Sequence, residues 1–504
     1  MSALWLTLSE VADLTGGRLH LADPAELVTA PVVIDNRIVE PGGLFAAFVG
    51  EKVDGHDFAE SAVAAGAVAV LGSRATAVPT VIVDDVQRAL QALAREVVRR
   101  RRAQPEPFTV MALTGSQGKT STKDLLARVL AEAAPTVATQ GSFNNELGLP
   151  LTALRTTAET RYLVLEMGAR GVGHIAELCD VTAPDIAVVL NVGVAHLGEF
   201  GSREAIAQAK GELVEAVRPG GAAVLNADDP LVAAMASRTA EIVRTFAHHN
   251  PAWLRWDLVD LDALGRPTVS LTTGAQTAQA ALQLVGAHHA ANAAAATSAA
   301  LSAGLGLDQI VEALAMITSI SRWRMELHEP APGLLVLNDA YNANPDSMAA
   351  ALRTLADMGR RTTSKTVAVL GEMRELGDSA RVQHEAIGTL TDQLEIDTVV
   401  VVGEGAEGIA AACRSPRRAP DVATAVEMVR EDVGSGPAIV LVKASRGAAL
   451  ERVSDALVGL CPKERCRTDE GDPLRRRALP DHVVCRHPSR DRGLVQEGLR
   501  PVDP

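Results

Sequence analysis

The run Thr114, Gly115, Ser116, Gln117, Gly118, Lys119, Thr120, Ser121 carries residue types that can hold a phosphate chain. It follows the apolar stretch FTVMAL and reads as a strand that opens through a glycine loop into a helix. Gly115 and Gly118 leave room for backbone N–H groups to turn toward an anion. Lys119 can reach the outer phosphates, and the Thr120 hydroxyl is placed to touch Mg²⁺. The loop is shorter than the eight-residue phosphate-binding pattern, because Leu113 stands where the first glycine would fall. The spacing therefore points to a nucleoside triphosphate while leaving an ordinary glycine turn open.

Three more polar positions suit a metal beside such a loop. Glu166 ends the apolar run YLVLEMG, His196 lies in NVGVAHLGEFGS and Lys210 in AQAKGE. A carboxylate at the end of a buried strand is a natural Mg²⁺ ligand. Taken singly, each has a plain alternative: a helix cap or solvated turn for Glu166, a structural imidazole for His196, a surface lysine for Lys210.

The elements that must position these groups alternate along 504 residues, a length that exceeds one hydrophobic core. Residues 1–104 form a first unit with short apolar runs such as PVVID and AVAVLG, closing on a helix that ends RRRRA before a QPEP linker. That arginine run reads as a solvated helix end, where positive charge suits the dipole. From 107 to 320 the runs FTVMAL, YLVLEMG, PDIAVVLNVG and GAAVLNADD end in polar turns, as in a mostly parallel sheet buried on both faces. Ligands of open α/β sheets sit beyond the carboxyl ends of the strands, where these turns fall. Residues 321–460 repeat the pattern with LLVLNDAYN, TVAVLGEM, TVVVVGEG and AIVLVKAS, a Rossmann-like third unit. Residues 461–504, rich in Arg, Pro and Asp, read as a disordered extension.

Composition narrows the function classes. A net charge of -14 argues against broad nucleic-acid binding. No apolar run approaches the roughly 20 residues that span a bilayer, and the first residues lack a basic start, so a cytoplasmic protein is expected. The five cysteines are odd in number and scattered, which suits reduced thiols. Cys461, Cys466 and Cys485, with His482 and His487, lack the second tight pair of a zinc finger and read as incidental tail residues.

The sequence becomes specific at DAYNANPDSM, residues 339–348. Together with the short phosphate loop, this stretch resembles the Mur ligase family. GSFNNELGLPLT, EMGARGVGHI, NVGVAHLGEFGS, AKGE, LNADDP, SRWRMEL, LGEMRELG and LVKASRG follow in the family's order, and the resemblance covers residues 35–447. Within the family it points to the branch that adds D-alanyl-D-alanine to UDP-N-acetylmuramoyl-tripeptide, with ATP and Mg²⁺.

The resemblance implies three domains: one for the UDP end, a central ATPase domain, and a C-terminal domain that closes over the nucleotide. It implies that Gly115, Gly118, Lys119 and Thr120 hold the β and γ phosphates, that Glu166 and His196 hold Mg²⁺, and that Lys210 is carbamylated and ligates one of two magnesium ions. By the same resemblance Asn292 contacts adenine, and Arg324 and Asp339 reach the phosphates and ribose. Arg37 faces the uridine diphosphate, Asn144 and Asn145 the muramoyl portion, and Asn342 and Asn344, with Pro345, shape the dipeptide pocket; a purely structural turn remains open for these last. A monomer is the plain expectation for a hinged ligase.

Three positions depart from the family pattern. Asn36 replaces a small hydroxyl residue before the arginine, His289 an asparagine after His288, and Ala444 a glycine in the LVKASRG turn. Ala444 requires backbone that avoids positive φ. Two other readings stay open: a different ATP-dependent amide ligase of the superfamily, and a regulatory P-loop ATPase that forms no peptide bond.

Overall fold

The computed structural model describes residues 6–50, 53–193, 200–434 and 436–459. These residues build three large sheets in chain order, with a two-stranded antiparallel pair of Leu6–Thr7 and Leu27–Val28, all within one compact unit that extends to Val458. His196, the two C-terminal histidines, Cys461, Cys466, Cys485 and the expected extension 461–504 lie outside the described residues. Among those described, no helix is long and apolar enough to cross a membrane.

The first sheet has five strands in the order Arg18–His20, Thr80–Ile82, Ala69–Gly72, Leu44–Ala46, Val32–Val33, parallel except for the first pair. The central sheet has nine. Its parallel part runs Leu254–Leu261, Ile242–Ala247, Ala222–Asn226, Ile186–Val189, Thr109–Thr114, Tyr162–Glu166, Thr136–Ala138. Pro267–Thr273 and Gln276–Ala281 extend it as an antiparallel meander. The third sheet runs Glu326–Ala331, Leu334–Asp339, Ala438–Lys443, Lys365–Leu370, Thr398–Val402, Pro416–Ala419, parallel beyond its first strand.

Strand Thr109–Thr114 decides where chemistry can occur. It lies between Ile186–Val189 and Tyr162–Glu166, so the chain leaves it first toward one side of the sheet and later returns on the other. The connections diverge there and open a crevice at the carboxyl ends, as doubly wound sheets do. Val110, Met111, Ala112 and Leu113 are buried, which fits a strand covered on both faces.

The arginine run corrects the sequence reading. Of the four arginines that end helix Val86–Arg102, only Arg99 stands well out in solvent, paired with Glu96. Arg100 bridges Glu96 and Glu10. Arg101 is 1% exposed and donates to the carbonyls of Thr160, Glu106 and Pro107 at 3.0, 2.9 and 3.1 Å. Arg102 donates to the Ala183 carbonyl and pairs with Asp185. Residues at successive positions point about 100° apart on a helix, so four arginines in a row cannot all face water. Arg101 follows Val97 and Val98 onto the buried stripe, where its planar fork ties the linker to the central sheet.

Arg101→Ala leaves three carbonyls without their donor. It is expected to lower unfolding free energy by roughly 2–4 kcal/mol, read by denaturant titration, whereas Arg99→Ala changes it by less than about 0.5 kcal/mol.

Candidate active site

The phosphate loop sits at the carboxyl end of Thr109–Thr114 and leads into helix Lys119–Ala131. Gly118 is the helix cap at φ 79°, a left-handed conformation that side chains resist. Space also demands glycine: a Cβ there would stand 2.7 Å from Asn292 Oδ1, and one on Gly115 2.9 Å from Leu190 Cβ. Thr114 is fully buried at the strand end, and Ser116 and Ser121 are nearly so.

Asn191, which sequence reasoning passed over, shapes this loop. Its Oδ1 accepts from the N–H groups of Ser116 and Gln117 at 2.9 and 3.0 Å, and its Nδ2 donates to the Gln117 carbonyl at 3.1 Å. The Ser116 hydroxyl accepts from Gly193 N–H at 2.9 Å. Asn191 is itself seated by neighbours: Asn226 Nδ2 donates to the Leu190 carbonyl, and Asp229 accepts from Val192 N–H. The stretches NVG and LNADDP of the sequence are therefore the scaffold of the loop.

Around the loop lies a cavity of about 720 Å³ lined from both the central and the third sheets. Lys119 donates to the Gly115 carbonyl at 2.7 Å, and burial lowers its pKa, opposed by the Glu166 carboxylate. Glu166 is 1% exposed; its Oε1 accepts from Asn144 Nδ2 at 2.8 Å, and its Oε2 is buried with no hydrogen-bond partner. Lys210, on helix Arg203–Glu215, is 5% exposed, and burial, reinforced by Lys119, pushes its pKa well down. The plain readings of Glu166 as a solvated turn and Lys210 as a surface lysine do not survive this burial.

A buried, unpartnered carboxylate oxygen costs free energy unless something comes to it. Among the described residues no three His, Cys, Asp or Glu side chains cluster as a ready-made metal cage. Glu166 Oε2 and the Thr120 hydroxyl instead offer a few hard oxygens beside a phosphate loop, the donor set that suits Mg²⁺ carrying water and phosphate oxygens.

The third sheet closes the cavity. Arg324 Nη2 donates to Thr120 Oγ1 at 2.9 Å, and its guanidinium lies 4.3 Å from the centre of the Tyr341 ring. Trp323 and Met325, on either side, adopt φ of 60° and 50°, a costly pair that turns Arg324 inward. Asp339 Oδ2 accepts from Lys443 Nζ at 2.6 Å; Lys443, also missed in the sequence, donates as well to the Asn342 carbonyl at 3.0 Å. The Tyr341 hydroxyl hydrogen-bonds Ser142 of the central part.

The asparagines divide between lining and capping. Asn144 binds Glu166, while Asn145 Oδ1 accepts from Gly148 N–H at 2.9 Å. Asn344 caps helix Pro345–Thr362 in a reciprocal box with Ser347, with Pro345 at the first helical position. Both still border the cavity, as do Asn342 and Asn292. Asn292 is 9% exposed, with Nδ2 3.5 Å from His289 Nδ1; burial lowers the pKa of both His288 and His289.

Two positions lie apart from this cavity. Arg37 is exposed on the first sheet's side and forms a two-point pair with Asp35 at 2.8 and 2.6 Å. Its neighbour Asn36 donates to Ser61 Oγ at 2.9 Å. Ala444 is fully buried and outside the left-handed region, as its side chain requires.

A phosphate loop at a sheet's switch point, with buried acid and lysine before it and an arginine brought over from a second α/β unit, defines a nucleotide-dependent enzyme assembled across domains. Models of the Mur ligase family catalytic domain, the Mur ligase middle domain and the Mur ligase glutamate ligase domain match residues 30–104, 113–300 and 323–446. The chain belongs to the Mur ligase family. It is 43% identical over 500 residues to UDP-N-acetylmuramoyl-tripeptide–D-alanyl-D-alanine ligase of Mycobacterium tuberculosis, covering 90% of this chain and 98% of that one. MurF from Acinetobacter baumannii superposes with a TM-score of 0.80 at 30% identity, over 90% of this chain and 99% of that one. MurF ligase from Thermotoga maritima in complex with ADP gives 0.74 at 30% identity, over 86% and 98%.

Asn191→Ala removes the clamp while leaving Lys119 and both glycines. The KM for ATP is expected to rise about tenfold or more, some 1.4 kcal/mol per decade, with the melting temperature little changed; steady-state kinetics and a melting curve check both.

Proposed function

We infer that this chain is an ATP-dependent ligase that joins D-alanyl-D-alanine to UDP-N-acetylmuramoyl-tripeptide, completing the peptidoglycan precursor. The observation that carries the reading is the convergence on one cavity of Lys119, the unpartnered oxygen of Glu166, buried Lys210 and Arg324 from the third sheet. An amide does not form from a carboxylate and an ammonium in water without activation, and a phosphate loop facing a deep cavity suits that activation.

The reaction takes two steps. The tripeptide carboxylate oxygen attacks the γ-phosphorus, the bond to the β-phosphate oxygen breaks, and ADP leaves behind an acyl phosphate. The free amine of D-alanyl-D-alanine then attacks the acyl carbon, gives up a proton, and phosphate departs from the tetrahedral intermediate. The N–H groups from Gly118 to Thr120 at the helix N-terminus, given close approach by Gly115 and Gly118, and the Lys119 ammonium take the β and γ oxygens, while Arg324 meets charge that shifts during transfer. Lys119 gives up its bond to the Gly115 carbonyl to do so, and Arg324 its bond to Thr120.

Mg²⁺, held by Thr120, Glu166 and His196, supplies charge neutralisation among the phosphoryl oxygens. A lysine whose pKa is lowered by burial presents a free amine, which adds to CO₂ and releases a proton to form a carbamate; Lys210 in that form becomes an anionic metal ligand. Asn292 faces adenine, and Asp339, oriented by Lys443, the ribose. Asn144 and Asn145 meet the muramoyl side, Asn342 and Asn344 the dipeptide, and Arg37 the uridine diphosphate.

We assign residues 1–104 to the UDP end, 107–320 to ATP, 321–460 to closure and delivery of the amine, and leave 461–504 outside catalysis. The protein is placed in the cytoplasm, where ATP and nucleotide-linked precursors are available, as a monomer.

Phosphate release from ATP is expected to require both the UDP-linked tripeptide and D-alanyl-D-alanine, with the pentapeptide product found by mass. Release indifferent to the dipeptide would return the reading to a regulatory ATPase. Lys119→Ala should lose about 10³-fold or more in turnover. Lys210→Ala should be inactive and partly restored by a short carboxylic acid, and EDTA should abolish turnover until Mg²⁺ is returned; full unaided activity of the lysine variant removes the carbamate.

A further inference from the structure

The stretch AKGE holds a second buried charge for which the two-step reaction has no direct use. Glu212 is 6% exposed, and both of its oxygens are engaged: Oε1 accepts from Gly173 N–H at 2.6 Å and Oε2 from Ala176 N–H at 3.0 Å. These are the cap and third-residue amides of helix His174–Val181. The cap itself, Gly173, sits at φ 94° and has no side chain to satisfy them. A carboxylate from another helix thus serves the amides that a local capping side chain would serve, at the end of the helix where negative charge is favoured.

What this contact joins is specific. Residues 210 and 212 lie about 200° apart around helix Arg203–Glu215, so Lys210 enters the cavity while Glu212 turns to the loop behind it. That loop begins at Glu166. Its start is pinned by Met167 N–H to the Leu113 carbonyl at 2.9 Å and Gly168 N–H to the Asn144 carbonyl at 2.8 Å. Its far end is pinned by Glu212. The glycine between them leaves room for Arg238, whose Nη1 stands 1.7 Å from where a Cβ on Gly211 would fall and donates to the Gln208 carbonyl at 3.0 Å.

We propose that Glu212 is a positioning residue that fixes the spacing between Glu166 and Lys210, and so sets the affinity of the site between them for its divalent cation. The proposal rests on the ligase reading above and concerns a residue that touches neither substrate nor metal. Outer contacts that orient the groups around a metal govern affinity and rate without ligating it.

Glu212→Gln is nearly isosteric but places an NH₂ against one of two N–H groups, so it removes one acceptor without opening a void. It is expected to fold, to keep the KM for UDP-N-acetylmuramoyl-tripeptide within about twofold, and to lose about 10–100-fold in kcat, with a comparable rise in the Mg²⁺ concentration for half-maximal rate. Apart from turnover, calorimetry of ADP binding should show the gain in affinity on adding Mg²⁺ to the wild-type protein shrink in the variant. Glu212→Asp, which keeps both acceptors one methylene short, should move the same quantities the same way and carries the test if the glutamine variant does not fold. A folded variant with wild-type Mg²⁺ dependence, or one whose loss only follows its folded fraction, overturns the proposal. A wild-type enzyme without substrate-dependent phosphate release would instead overturn the ligase reading on which it rests.

Discussion

The structure depends on one steric and electrostatic constraint: a four-residue turn at the end of a buried strand must deliver the N-terminus of helix Lys119–Ala131 to the crevice while leaving no room for side chains at Gly115 and Gly118. Leu190 and Asn292 close in where those side chains would be. Two N–H groups that would otherwise need water are held by Asn191, a residue of the adjacent strand's end. The loop is therefore set by packing and by one carboxamide before any ligand arrives, which keeps the cost of ordering it out of the binding step.

Charge in the cavity is close to balanced. Five Lys or Arg and six Asp or Glu side chains line it, so it offers a triphosphate no net positive field. Some of that charge is already committed, Lys443 to Asp339 and Lys119 to a loop carbonyl. The carbamate proposed for Lys210 makes the balance more negative still. Divalent cations are then the natural means of bringing an anion of this size into so buried a place. Arg324 adds a cation that the third unit supplies to the loop.

Much of the architecture was legible because buried parallel strands leave unbroken apolar runs: FTVMAL, YLVLEMG, LLVLNDAYN and AIVLVKAS each contain a strand, and the polar residues after them are those of the cavity. The meander Leu254–Ala281 was not, since only Pro267–Thr273 alternates buried with partly exposed residues, while Leu254–Leu261 and Gln276–Ala281 bury one residue each and carry many polar side chains. Arg101 was misread because a run of like charges carries no mark of which member a helix turns inward. Asn191 and Lys443 stood within quoted stretches, but their partners are 74 and 104 residues away, and spacing along a chain does not encode such pairs.

The same limit applies with more force to AKGE. Read as a string it contains one lysine of interest, whereas folded it puts three consecutive residues to three uses: an amine in the cavity, a space for Arg238, and a carboxylate on a neighbouring helix end. A helix makes this possible because successive side chains diverge by about 100°, so a short stretch can face a site, a neighbour and a loop at once. The proposed metal site then owes its shape to the rigid body in which Glu166 and Lys210 are set. Glu166 is carried by a strand, Lys210 by a helix, and the loop between them is tied at both ends.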